Sequence, residues 1–113
     1  CSLGVTAQML SVAAGTVANG GVNPVTKKQV FDAELTPKIT SMIATVGFYE
    51  HSGDWMYTSG IPAKTGVGGG VMGVLPGVFG VSAFEQIGIE CIQWCESDHR
   101  RLEVAVTLYR FFV

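Results

Sequence analysis

Along the first fifty positions the apolar residues recur at helical intervals. Met9, Leu10, Ala13 and Val17 fall three, four or eight apart, behind a threonine, Thr6, whose hydroxyl can accept from a first-turn amide. Asn19-Gly20-Gly21 then supplies the left-handed stop that ends a helix. The spacing predicts one short amphipathic helix. A polar loop with Pro24 occupies 22–28, after which Thr36-Pro37 opens a second helix. Ile39, Met42, Ile43 and Val46 form its apolar stripe and Gly47 closes it.

From Ser52-Gly53 onward the pattern changes character. Trp55 and Tyr57 alternate with polar neighbours, and apolar runs at 62–66 and 71–75 are divided by glycines. This half is predicted to be sheet, with Trp55 and Tyr57 as core or edge-strand residues. Pro76-Gly77 separates 71–75 from 78–84, which suggests an antiparallel pair. Pro-Gly prefers turns that splay strands, so a loop wider than two residues is expected. Past Glu85, 87–101 reads as helical and 102–113 as a strand. The elements add up to an α/β (α+β) class, helices packed on an antiparallel sheet.

Composition narrows the function. At 113 residues, 48% hydrophobic and 14% charged with a formal net charge of -2, the chain has room for one small globular domain. It carries no basic patch of the kind nucleic acid or an acidic membrane selects. No apolar stretch reaches the roughly 18 residues of a spanning helix, and no basic start precedes a signal-like apolar region. Cys1 stands far from Cys91 and Cys95, and three cysteines are an odd number, so no disulfide framework is suggested. A soluble, cytoplasmic protein is expected. Because the first residue is Cys1 rather than Met, the sequence is read as a fragment of something longer.

The most informative stretch is 60–70, Gly-Ile-Pro-Ala-Lys-Thr-Gly-Val-Gly-Gly-Gly. It joins Lys64-Thr65-Gly66 to a run in which backbone must approach something closely; the cluster 66–73 holds five glycines in eight positions. In penicillin-recognising serine enzymes a Lys-[Ser/Thr]-Gly strand borders the active site, with its cation near the nucleophile and backbone donors at the oxyanion. Alone, such a triplet arises by chance in many proteins, and a solvated lysine beside a turn is its ordinary reading. Cys91, Cys95 and His99 are spaced by four, but three ligands without a fourth make a poor metal site, and none is expected. His51 and Asp54 read as solvated loop residues. No cofactor is suggested.

Context lifts the triplet. Cys1-Ser2-Leu3 with Val5-Thr6, the run Ala18-Asn19-Gly20-Gly21-Val22-Asn23-Pro24-Val25-Thr26, Gly47-Phe48-Tyr49-Glu50 with Ser52-Gly53, and 60–70 resemble segments of the serine-dependent glutaminases, in order and without gaps. The resemblance covers 1 to about 84, the C-terminal part of a glutaminase domain. It implies a partial β-lactamase/transpeptidase-like domain and hydrolysis of L-glutamine to L-glutamate and ammonia through a serine acyl-enzyme. Family properties carried over by position make Tyr49 catalytic and substrate-binding, and make the Val67 main chain substrate-binding as part of the oxyanion hole. Without the motif, Tyr49 would be a core aromatic closing the second helix and Val67 an ordinary strand valine. A phenol beside positive charge can relay a proton, and an oxyanion hole needs an N–H donor rather than a special side chain. Lys64 matches the family's strand lysine, in an electrostatic or structural role, with Thr65 in place of the commoner serine.

The resemblance also has edges. The Ser-x-x-Lys that starts the family mechanism is missing: Ser2, Ser11, Ser41, Ser52, Ser59, Ser82 and Ser97 all lack a lysine three positions on. The expected upstream asparagine, glutamate and tyrosine contacts are likewise missing, so the chain alone is expected to be inactive. After Phe84 the family's usual continuation gives way to an unrelated run, and 85–113 is read as a divergent tail, from a shifted reading frame or an atypical terminus. In the full-length form a homo-oligomer is expected. Two other readings remain: a non-catalytic folding or oligomerisation module, and a penicillin-interacting enzyme, which rests on Lys64-Thr65-Gly66 and leaves the 19–26 match unexplained.

Overall fold

A computed structural model describes residues 3–85 and the backbone of 102–103. The order is α1 (Ala7–Ala18), a 3-10 turn (Ala33–Leu35), α2 (Thr36–Val46), a second 3-10 turn (Tyr49–His51), α3 (Ser52–Ser59), then β1 (Ala63–Thr65), β2 (Gly70–Leu75), β3 (Phe79–Glu85) and β4 (Leu102–Glu103). The strands form one antiparallel sheet in the order β1-β2-β3-β4. The expected class, helices packed on an antiparallel sheet, is the observed one. Among the described residues no helix is long and apolar enough to cross a membrane.

Helix α1 begins as its sequence predicts. The Thr6 hydroxyl accepts from Met9 N–H at 3.2 Å, and the chain leaves the helix through Gly20 and Gly21, both at positive φ. Its buried face differs from the expected stripe, because Met9 and Ala13 are exposed. The face against the sheet is Ser11, Ala14, Gly15 and Ala18, with Val17 beside it. Gly80 of β3 explains the choice: a Cβ there would lie 2.1 Å from Gly15 N and 2.3 Å from Ala14 C. Helix backbone rests directly on strand backbone, and only small side chains fit between them. Both ends of α1 are tied to the β2–β3 hairpin. Ser82 Oγ donates to Ala7 O at 2.6 Å, and Gly77 N–H to Ala18 O at 2.8 Å.

The core is compact and small-sided: Ala14, Val17, Ala18 and Val74, with Phe31, Ile39, Ile43 and Met72 packed against it. In α2 the predicted stripe is half right. Ile39 and Ile43 face the core, but Met42 and Val46 are exposed, and the innermost positions belong to Thr36 and Thr40. Threonine is tolerated there because its hydroxyl finds a backbone acceptor. Thr40 donates to Thr36 O at 2.9 Å and Thr36 to Val17 O of α1 at 3.4 Å.

The largest correction is at 52–59, expected as sheet and observed as helix α3. Side chains two apart, as Trp55 and Tyr57 are, share a face in a strand but nearly oppose each other on a helix. Trp55 is accordingly half-buried, stacked on Phe48 with centroids 4.5 Å apart, whereas Tyr57 is 92% exposed. Tyr57 is therefore neither core nor edge-strand packing. Gly60, at φ 66, ends the helix and donates to Met56 O.

The predicted strands at 62–66 and 71–75 correspond to β1 and β2, and the predicted hairpin pairs β2 with β3. Its loop is wider than two residues, as expected: Leu75 faces Phe79 across Pro76, Gly77 and Val78. Val78 N–H bonds Leu75 O, with Gly77 at φ 73. The helix expected at 87–101 lies outside the described residues, as does the strand expected at 102–113 apart from Leu102–Glu103, which pairs with β3.

Candidate functional site

The site is assembled where α2 ends against β1. Gly47 admits no side chain, since a Cβ would lie 1.8 Å from Ala63 O and 2.2 Å from Ile43 O. Its carbonyl accepts from both Thr65 N (3.1 Å) and Thr65 Oγ1 (3.2 Å). The hydroxyl of Lys64-Thr65-Gly66 is thus spent on the end of α2. A serine could make the same bond, which accounts for threonine standing in for serine there.

Immediately after the clamp the chain turns. Phe48 packs under Trp55, whose indole N–H donates to Ile61 O at 2.7 Å and joins α3 to the approach of β1. Tyr49 follows at φ 54, in the left-handed region. For a residue with a Cβ this costs about 1–2 kcal/mol. Its side chain stays 62% exposed. This is the wrong place for a core aromatic. The Ser52 hydroxyl, beneath the turn, accepts from Phe48 N–H at 2.9 Å and donates to Tyr49 O at 2.7 Å.

From the middle of β1, Lys64 places its Nζ 4.9 Å from the Tyr49 ring centroid, within cation–π range. The same ammonium donates to Thr65 O. Strand β1 then enters a tight loop: Gly66 N–H bonds Gly70 O at 2.7 Å and Gly69 N–H bonds Gly66 O at 3.0 Å, with Gly69 at φ 83. This is the three-residue hairpin loop that ends on a left-handed glycine. Val67 is its first residue and 73% exposed. It lies in the turn rather than in a strand, and among the described residues its N–H has no hydrogen-bond acceptor.

The structure therefore brings Tyr49 and Lys64 into contact and sets Val67 on the loop that continues the lysine strand. A phenol, an ammonium and a free backbone donor at an exposed edge suit proton transfer and the stabilisation of a developing oxyanion. His51 and Asp54 are solvated as expected, 4.0 Å apart and 74% and 90% exposed, although on a 3-10 turn and a helix rather than in a loop. Cys91, Cys95 and His99 lie outside the described residues. Among the described residues no three His, Cys, Asp or Glu side chains gather as metal ligands. The hydroxyls of Ser11, Ser52, Ser59 and Ser82 all donate to backbone carbonyls. Sequence reasoning missed Ser52 and the Gly47–Thr65 clamp. A glycine closing a helix two residues before a tyrosine was the available signal.

Comparison with known proteins gives one consistent answer. The sequence pattern of the glutaminase family matches residues 1–85. A glutaminase of Bacteroides fragilis is 99% identical over 84 residues, which cover 74% of this chain and 26% of that protein. A solved probable glutaminase superposes with a TM-score of 0.70 at 45% identity, over 71% of this chain and 26% of its own. The Bacillus subtilis glutaminase, solved as the covalent complex formed with 6-diazo-5-oxo-L-norleucine, gives a TM-score of 0.60 at 29% identity, over 64% and 25%. The chain spans about a quarter of the length of the curated relatives it matches.

Proposed function

The chain belongs to the glutaminase family, with the β-lactamase-like fold of its solved relatives, and from that premise we propose that it supplies Tyr49 and the Val67 backbone to a site that hydrolyses L-glutamine to L-glutamate and ammonia. The observation that carries this reading is the exposed Tyr49 ring held against the Lys64 ammonium, 4.9 Å from its centroid.

In the reaction so read, a serine from outside these residues attacks the side-chain carboxamide carbon of glutamine. Val67 N–H donates to the oxygen that takes up negative charge. Collapse of the tetrahedral intermediate breaks the C–N bond, and Tyr49 passes the serine's proton to the departing nitrogen, which leaves as ammonia. Water then adds to the acyl-enzyme, gives its proton back through Tyr49 and releases glutamate and free serine. Lys64 donates to Thr65 O and lies over the Tyr49 face, where it adds positive potential. The covalent complex of the Bacillus subtilis relative with 5-oxo-L-norleucine supports a nucleophilic route. The stretch 85–113 is read as a divergent tail; the family match stops at 85.

A second reading is favoured by one observation. Met9, Met42 and Val46 are each more than half exposed, a surface suited to packing against further protein and to a role in folding or self-association.

The test is a full-length chimera, in which the matched 84 residues replace their counterpart in the Bacteroides fragilis glutaminase. The chimera is expected to release ammonia from L-glutamine and this chain alone to release none. Mass spectrometry after 6-diazo-5-oxo-L-norleucine should find the adduct outside these 84 residues. Ammonia release by the isolated chain, or an adduct within it, would overturn the division of labour.

A further inference from the structure

Tyr49 is the one non-glycine residue at positive φ in the segment that joins α2 to α3, and its conformation needs a cause. Neither bulk packing nor a cap supplies it, because the side chain is 62% exposed. The neighbouring backbone does. Phe48 N–H and the Tyr49 carbonyl, which flank the strained φ, both point at one atom, Ser52 Oγ, at 2.9 and 2.7 Å. That hydroxyl uses its acceptor and its donor at once, and Ser52 is only 4% exposed, so water cannot readily take its place. Were Tyr49 to relax to the right-handed region, its carbonyl would swing away from the hydroxyl and its Cβ would leave the face of Lys64.

We propose that Ser52 is the positioning residue for the Tyr49 phenol, locking the left-handed turn that presents the ring to Lys64 and to substrate. The proposal rests on the reading of Tyr49 above and extends it: the active tyrosine is set from behind by a buried serine that never touches glutamine. Ser52→Ala removes both bonds while leaving the fold's helix-to-sheet contacts in place. Ser52→Thr keeps the hydroxyl.

Two measurements test it independently. In this chain, the Lys64 ε-methylene protons should show an upfield ring-current shift from Tyr49 by NMR. That shift should collapse in Ser52→Ala and persist in Ser52→Thr, with the α1, β2 and β3 amide signals unmoved. An undiminished shift in Ser52→Ala would overturn the proposal. In the full-length chimera, Ser52→Ala should lower kcat about tenfold with KM changed by less than about twofold, and Ser52→Thr should restore most of the loss. Because Ser52 acts through the phenol, Ser52→Ala should cost nothing further in a Tyr49→Phe background. An equal loss in both backgrounds would mark a general structural role and overturn it. If Tyr49→Phe alone leaves kcat unchanged, the catalytic reading of Tyr49 fails, and the ring-current shift then decides whether Ser52 sets the tyrosine.

Discussion

Val67 illustrates a residue whose side chain is irrelevant to the role assigned to it. It occupies the first position of a hairpin loop, 73% exposed, and what it offers is an N–H with no acceptor among the described residues. The first central position of such a turn accepts proline without strain, so Val67→Pro deletes the donor and little else. In the full-length chimera Val67→Ala should change kcat by about twofold or less, whereas Val67→Pro should lower it by about 10²-fold or more, the usual effect of losing an oxyanion donor. Steady-state ammonia release measures both; equal rates for the two variants would remove Val67 from the site. Tyr49 and Val67 were proposed from the family's motifs. The physical basis of Tyr49's placement was not legible, because Ser52 signals nothing by pattern: its bonds depend on a left-handed tyrosine that no periodicity encodes.

Among the elements, close approach matters more than apolar bulk. Helix α1 was predicted from its cap, its period and its glycine stop, and the cap and the stop hold. Its buried face was misassigned because periodicity ranks Met9 above Ser11 and Gly15, whereas the sheet selects for smallness where Gly80 meets the helix backbone. Gly80→Ala should therefore destabilise the fold by about 3 kcal/mol, an overpacking cost with no flexible neighbour to yield. Urea unfolding followed by circular dichroism would read this, and a midpoint matching the parent would show that α1 does not rest on β3 as described. Helix α3 escaped notice for a related reason. Its residues, Ser-Gly-Asp-Trp-Met-Tyr-Thr-Ser, favour helix weakly, and the Trp55–Tyr57 alternation imitates a strand. Tertiary contacts, the Phe48–Trp55 stack and the indole bond to Ile61 O, override that preference.

For the whole molecule, the antiparallel sheet and its two leading helices were readable because turn chemistry at Asn19-Gly20-Gly21, Thr36-Pro37 and Pro76-Gly77 punctuates the chain at the right places. The proposed division of a catalytic site between these residues and others rests on the missing Ser-x-x-Lys. The fold is compatible with that proposal: α2, α3, β1 and the loop after β1 hold a tyrosine, a lysine and a free amide at an exposed edge. Glutamine hydrolysis by the full-length chimera with Tyr49→Phe is the most direct measurement of this account. Ammonia release should fall by about 10²-fold or more, with the substitution leaving thermal unfolding unchanged, since the Tyr49 hydroxyl has no hydrogen-bond partner among the described residues. Release at the parent rate would contradict the account, for the chain would then bring no proton-transfer group to the reaction.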